Sequence, residues 1–84
     1  MRISEIEIGE VYLIEMPTGY ISDYLVMSKT VDGDYVKLFD LDKRESEWYS
    51  QDDLAGAKIL GKVVWQSKVF EIYKWLVGDK DGSD

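Results

Sequence analysis

Histidine and cysteine are both missing from this 84-residue chain, and proline occurs once. Without cysteine there is no disulfide to brace a small fold and no thiolate to attack a substrate or hold a metal. Without histidine there is no side chain that titrates near neutral pH unperturbed, so the usual nucleophile–base sets are excluded. A Ser–Lys pair is the nucleophilic set that remains. Ser28-Lys29 falls on an expected strand, where adjacent side chains point to opposite faces, so Lys29 does not activate Ser28 directly. That pair and Ser67-Lys68 read as surface residues. No apolar run approaches the ~18–20 residues of a membrane span. Met1–Glu5 lacks the charged-then-apolar layout of a secretion signal, which leaves the cytoplasm as the default expectation. The tail Asp79-Lys80-Asp81-Gly82-Ser83-Asp84 starts like a calcium loop, but that loop needs Gly at its sixth position and Glu at its twelfth. No metal and no cofactor are expected.

What is present is an acidic excess confined to the first two thirds. Residues 1–53 hold thirteen Asp and Glu against five Lys and Arg, a net of −8. Residues 54–78 hold Glu71 against Lys58, Lys62, Lys68 and Lys74, a net of +3. The tail brings the total to −7. This balance argues against direct DNA or RNA binding, which depends on phosphate neutralisation by basic residues. It favours encounter with basic partners. Apolar residues make up 45%, with six Tyr, three Trp and two Phe, so the chain is equipped to fold despite its charge. Its length suits one domain near the lower limit for an unassisted core.

Turn signals divide the chain into short strands. Gly9 leads into a strand over Glu10–Met16, and Met16-Pro17-Thr18-Gly19 turns into a second over Tyr20–Lys29. Asp32-Gly33 is the strongest turn signal and closes a hairpin into Tyr35–Leu41. Asp42-Lys43-Arg44-Glu45 is a charged loop before the short strand Glu47-Trp48-Tyr49. Ser50-Gln51-Asp52-Asp53 reads as an N-cap with acids in a first helical turn, ending near Gly56. Lys58–Trp65 is the next strand. Over Ser67–Val77, Val69, Tyr73, Leu76 and Val77 share a helical face, though the same segment is rich in strand formers. The favoured expectation is mainly β (α+β): a small SH3-like barrel or roll of about five antiparallel strands with a C-terminal helix. The compact domain spans 1–78, and 79–84 reads as a disordered acidic tail.

Two groups of residues are candidates for a site. Asp32, Asp34, Asp40 and Asp42 alternate around the expected hairpin. Residues two apart on a strand share a face, so Asp40 and Asp42 can converge. Their other reading is a solvated hairpin end. Among the aromatics, Tyr12, Phe39, Trp48 and Trp65 read as core. Tyr20, Tyr24, Tyr49 and Trp75 read as partner-binding, because exposed Tyr and Trp are enriched at interfaces.

Two stretches carry a family resemblance. Gly9-Glu10-Val11-Tyr12-Leu13-Ile14 resembles the Gly-Asp-plus-apolar strand of the β domain in LexA-like and signal-peptidase-like serine peptidases. Ile59-Leu60-Gly61-Lys62-Val63-Val64-Trp65 resembles the strand that closes that domain. In that family the nucleophilic Ser precedes the first strand and is followed by Met, whereas Ser4 here is followed by Glu5. Lys29 takes the place of the family's general base with no Ser opposite it. The resemblance therefore implies a β domain without peptidase activity. Gly9-Glu10-Val11-Tyr12 equally resembles the opening of small SH3-like barrels.

The expected function is a non-enzymatic acidic binding module for a basic protein surface, such as that of a nucleic-acid-binding protein. Small size and dense charge are the style of accessory or inhibitor proteins of phages and mobile elements. The alternatives are a nucleic-acid mimic, with carboxylates standing in for a phosphate row, and a degenerate peptidase-like β domain. Neither direct nucleic-acid binding nor a membrane role is expected.

Overall fold

Five strands and their turns account for most of residues 1–64, the part of the chain that the computed structural model describes. Trp65, Trp75, the segment Ser67–Val77 and the tail 79–84 lie outside the described residues. The strands are β1 (Val11–Glu15), β2 (Ile21–Lys29), β3 (Tyr35–Asp40), β4 (Glu45–Ser50) and β5 (Lys58–Val63). They form one antiparallel sheet in the order β4-β3-β2-β1-β5. Among the described residues β4 and β5 are its two edges, and the sheet is open.

Alternation decides what each face carries. Tyr12 and Ile14 of β1, Tyr24 and Val26 of β2, and Val36 and Leu38 of β3 line one face as the main core. Ile3, Ile6, Leu54 and Ala57 cap it from outside the sheet. Val11, Leu25 and Phe39 form a second buried cluster, joined by the partly buried Met27, Leu41 and Val63. Register shifts between Leu13 and Ile14 in β1, and between Val26 and Ser28 in β2, mark irregularities of the bulge type. Such bulges bend and twist the strands that carry them.

The turns follow the sequence chemistry. Gly19 has φ +93°, and its N–H donates to Met16 O at 2.8 Å, closing the β1–β2 turn. In the loop between β2 and β3, the Asp32 carboxylate accepts from the Thr30 hydroxyl at 2.6 Å and from Asp34 N–H at 3.0 Å. These bonds hold the Asp32 carboxyl below its ordinary pKa, the Thr30 hydroxyl contributing most. After β4, Ser50 Oγ accepts from Asp53 N–H at 3.1 Å while Asp53 Oδ2 accepts from Ser50 N–H at 2.9 Å. That reciprocal pair is the expected cap of a helical turn, realised here as turns over 51–56. Arg44, with φ +58°, takes a conformation for which the loop has no glycine.

Two aromatic expectations change. Trp48, expected in the core, is half exposed because β4 is an edge strand and Trp48 alternates with the core-facing Tyr49. Tyr24, expected at a partner surface, is only 2% exposed because β2 lies inside the sheet and the ring points into the main core. Tyr12 and Phe39 are buried as expected.

Gly33 has φ +78°, and a Cβ placed there would meet nothing within 4 Å. The demand for glycine is therefore one of backbone conformation alone. Gly33→Val is expected to cost about 1 kcal/mol or more, since a β-branched residue tolerates positive φ poorly. Gly33→Asn should cost less, because Asn visits this region more readily. Urea denaturation midpoints of the two variants test the ranking.

Candidate functional site

Every second residue of β2 from Ser22, and of β4 from Glu45, faces the same side of the sheet. The register places Tyr24 beside Asp40, and Asp40 beside Glu45. Glu47 and Tyr49 continue the row along β4. Two turns wall this area. Met16, Pro17 and Thr18 of the β1–β2 turn and Asp53 of the 51–56 turn join the lining. A Cβ at Gly56 would lie 3.4 Å from Pro17 Cβ, so the two turns meet. The result is an open cleft of about 510 Å³, bordered by Tyr20, Tyr24 and Tyr49. Glu45, Glu47 and Asp53 supply carboxylates, and Lys43 is the lone cation of the lining among the described residues.

Asp40 anchors this arrangement. It is 6% exposed, yet each of its carboxylate oxygens is engaged. Oδ1 accepts from Ser22 Oγ at 2.6 Å, Asp42 N–H at 2.9 Å and Lys43 N–H at 3.2 Å. Oδ2 accepts from the Tyr20 hydroxyl at 2.9 Å. Burial pushes the Asp40 carboxyl up, but the bonds from Ser22, Tyr20 and the two backbone N–H groups outweigh it and hold the group below its ordinary pKa. Asp40 is thus an ionised structural anchor whose lone pairs are largely taken. That occupation suits positioning and leaves little capacity for proton transfer.

Ser22 lies between two acids, 2.6 Å from Asp40 Oδ1 and 2.7 Å from Asp42 Oδ2. One hydroxyl carries one proton, so the two carboxylates share it. Asp40 and Asp42 do converge, as their spacing implied. Asp32 and Asp34 do not join them. They occupy the far end of β3, across a strand of six residues, or roughly 20 Å. The four aspartates therefore form two separate groups rather than one row.

The tyrosines differ in their settings. Tyr20 is half-buried, with Lys43 Nζ 4.5 Å from its ring centroid. Contact with Ser22 lowers the Tyr20 pKa, but burial, the bond to Asp40 and the charges of Asp40 and Asp42 together raise it. Tyr49 donates to Glu47 Oε2 at 3.1 Å, and burial followed by that bond pushes its pKa up to about 12. Burial, then the neighbouring Tyr49 and Asp40, raises Tyr24 further. All three stay neutral phenols at ordinary pH. Of the residues expected to bind a partner, Tyr20 and Tyr49 border the cleft with accessible surface, Tyr24 forms its buried floor, and Trp75 lies outside the described residues.

Lys43, Glu45, Glu47 and Ser22 were missed as site residues. Their signal was alternation: Tyr20, Ser22 and Tyr24 are spaced by two, as are Glu45, Glu47 and Tyr49. Among the described residues, no group of three or more acids is placed to hold a metal ion. Compared with protein-family models, curated proteins and solved structures, the chain matches none. What stands is a five-stranded antiparallel domain, with no family match behind a peptidase-like or SH3-like assignment.

Proposed function

We propose that this chain is a non-enzymatic binding module, and that the tyrosine-lined acidic cleft receives a basic segment of a protein partner. The observation that carries the proposal is the cleft itself: phenol rings and carboxylates in one lining, with Lys43 as its lone cation among the described residues. Tyrosine offers large contact area at low conformational cost, and unpaired acids select and steer a basic partner. We also read the sheet as an SH3-like roll, because the two turns that meet at Pro17 and Gly56 fold over one of its faces.

The alternative of a nucleic-acid mimic needs acids arrayed in a row. The separation of Asp32 and Asp34 from Asp40 and Asp42 weighs against it. Asp40 also spends its acceptors internally, which suits a support for the cleft better than a phosphate substitute.

A decapeptide of alternating Arg and Ser, titrated into the full chain at low salt, tests the proposal. Binding should perturb the backbone NMR signals of Lys43, Glu45, Glu47 and Tyr49, and it should weaken at ~0.15 M salt. Tyr49→Ala should raise the Kd about tenfold, mainly through faster dissociation. Reversing Glu45 and Glu47 to Lys should mainly slow association, while reversing the remote Asp32 and Asp34 should do so less. Perturbations centred on the Asp32 hairpin, or no binding of the peptide, would overturn the assignment of the cleft.

A further inference from the structure

The acceptor capacity around the cleft is distributed unevenly. Asp40 is engaged by four donors. Glu47 accepts from the Tyr49 hydroxyl, and Asp53 accepts from Ser50 N–H. A carboxylate has about four acceptor positions, so both retain capacity. Glu45 is exposed, and its carboxylate receives no hydrogen bond or ion pair from the described residues. The ion pair found among the described residues joins Lys62 to Glu10, 3.2 Å apart and outside the cleft lining. The cleft thus presents unspent carboxylates beside aromatic walls.

The cation of the described lining sits on an aromatic face. Lys43 Nζ sits over the Tyr20 ring, 4.5 Å from the centroid. The Tyr20 hydroxyl donates to buried, ionised Asp40, which makes the ring richer in electrons and a better partner for a cation. Yet no ion pair joins Lys43 to a described carboxylate. The ammonium rests on an aromatic face at the mouth of an acidic cleft and leaves the acids unneutralised.

We propose that the cleft is a receptor for one arginine side chain of a basic protein segment, and that Lys43 is a tethered competitor held over Tyr20 in the free chain. The assignment rests on the cleft being a binding site for basic protein, as argued above. The occupant follows from charge and shape. A guanidinium is flat, stacks on tyrosine, and carries five donors that reach more than one carboxylate at once. An ammonium is compact and strongly hydrated, so it uses either the ring or the acids less completely. When arginine enters, Lys43 leaves the Tyr20 face for solvent, a short movement for an exposed side chain.

The test uses the full chain and three pentapeptides, Gly-Ser-X-Ser-Gly, with X as arginine, lysine or citrulline, followed by NMR titration. Citrulline keeps the shape of arginine without its charge. The arginine peptide should saturate signals of Lys43, Glu45, Glu47 and Tyr49. The lysine peptide should bind several-fold more weakly, and the citrulline peptide at least about tenfold more weakly. Lys43→Gln should tighten the arginine peptide about two- to fivefold, the worth of an exposed cation–π contact. Lys58→Gln makes the same charge change at the start of β5, away from the cleft lining, and should alter the Kd less. Equal binding of arginine and lysine peptides would overturn the arginine assignment. An effect of Lys43→Gln no larger than that of Lys58→Gln would overturn the competitor role. If the Arg-Ser decapeptide still maps to the cleft in either case, the general binding role stands and only this inference falls. If no basic peptide perturbs the cleft, both fall.

Discussion

Asp40→Ala is expected to destabilise the domain by about 2–4 kcal/mol, because it strips the acceptor from a tyrosine hydroxyl and two backbone N–H groups and takes one of two acceptors from a buried serine. Ser22 is 2% exposed, and its hydroxyl keeps the Asp42 carboxylate, 2.7 Å away, when Asp40 is gone. Asp40→Asn should cost less, since the amide oxygen still accepts from the backbone and the Tyr20 oxygen can accept from its NH₂. Acid should expose the same role. A carboxylate held below its ordinary pKa contributes stability that is fully present above the unfolded value of about 3.9. That contribution is lost as pH falls through the lower native value. The parent chain should therefore lose stability on acidification below about pH 4, and Asp40→Asn should flatten that loss. Asp32 is also shifted down, so the flattening should be partial. Urea midpoints across the acid range give the measurement. An Asp40→Ala midpoint equal to that of the parent would mean that its four donors find other partners.

This anchor could not be read from the sequence, and the reason is geometric. The spacing of Asp40 and Asp42 announced two acids on one side of a strand. It did not announce that Ser22 of the neighbouring strand would stand between them, since that depends on the β2–β3 register. The register in turn depends on the bulge near Met27, which no glycine or proline marks. Turn chemistry was far more legible. Gly19 and Gly33 sit in the turns that their neighbours implied, both at positive φ, and the Ser50–Asp53 cap forms as its spacing suggested. Strand positions were legible for the same reason, since turn residues bound each one.

Which strand would be an edge was not legible, and that accounts for both aromatic errors. Trp48 and Tyr24 each sit among strand formers, and composition treats them alike. The sheet order leaves Trp48 on edge strand β4 with one neighbouring strand, while Tyr24 on β2 is flanked by β1 and β3. The cleft has the same origin. Its acids come from β3, β4 and the 51–56 turn, and its phenols from β2, the turn before it and β4, so no contiguous motif contains it. A pattern of two-residue steps on separate strands becomes a site only when β3 brings them side by side.

Ile6→Ala should cost about 2–4 kcal/mol, although it lies in a segment that carries no strand. Residues Ile3–Glu5 form a single 3-10 turn, and Ile3 and Ile6 project from it into the main core at 2% and 0% exposure. The three-residue step between them matches that turn, which places both side chains on one side. Gln51 pins the segment, accepting from Ile3 N–H at 2.9 Å and donating to Met1 O at 2.8 Å. Leu54, also fully buried, meets the same core from the 51–56 turn. The two segments thus cover the face of the sheet that the strands cannot cover alone, and a cavity at Ile6 opens where both must close. Ile8, 52% exposed, supplies the control, and Ile8→Ala should stay within about 0.5 kcal/mol of the parent. For a domain this small, each kcal/mol moves the melting temperature by roughly 4–8 °C, so the two alanine variants should separate clearly in a thermal melt. Gln51→Leu should fall between them, since it removes two hydrogen bonds but no core side chain. If Ile6→Ala melts with Ile8→Ala, the N-terminal segment is a dispensable cover, and the core closes without it.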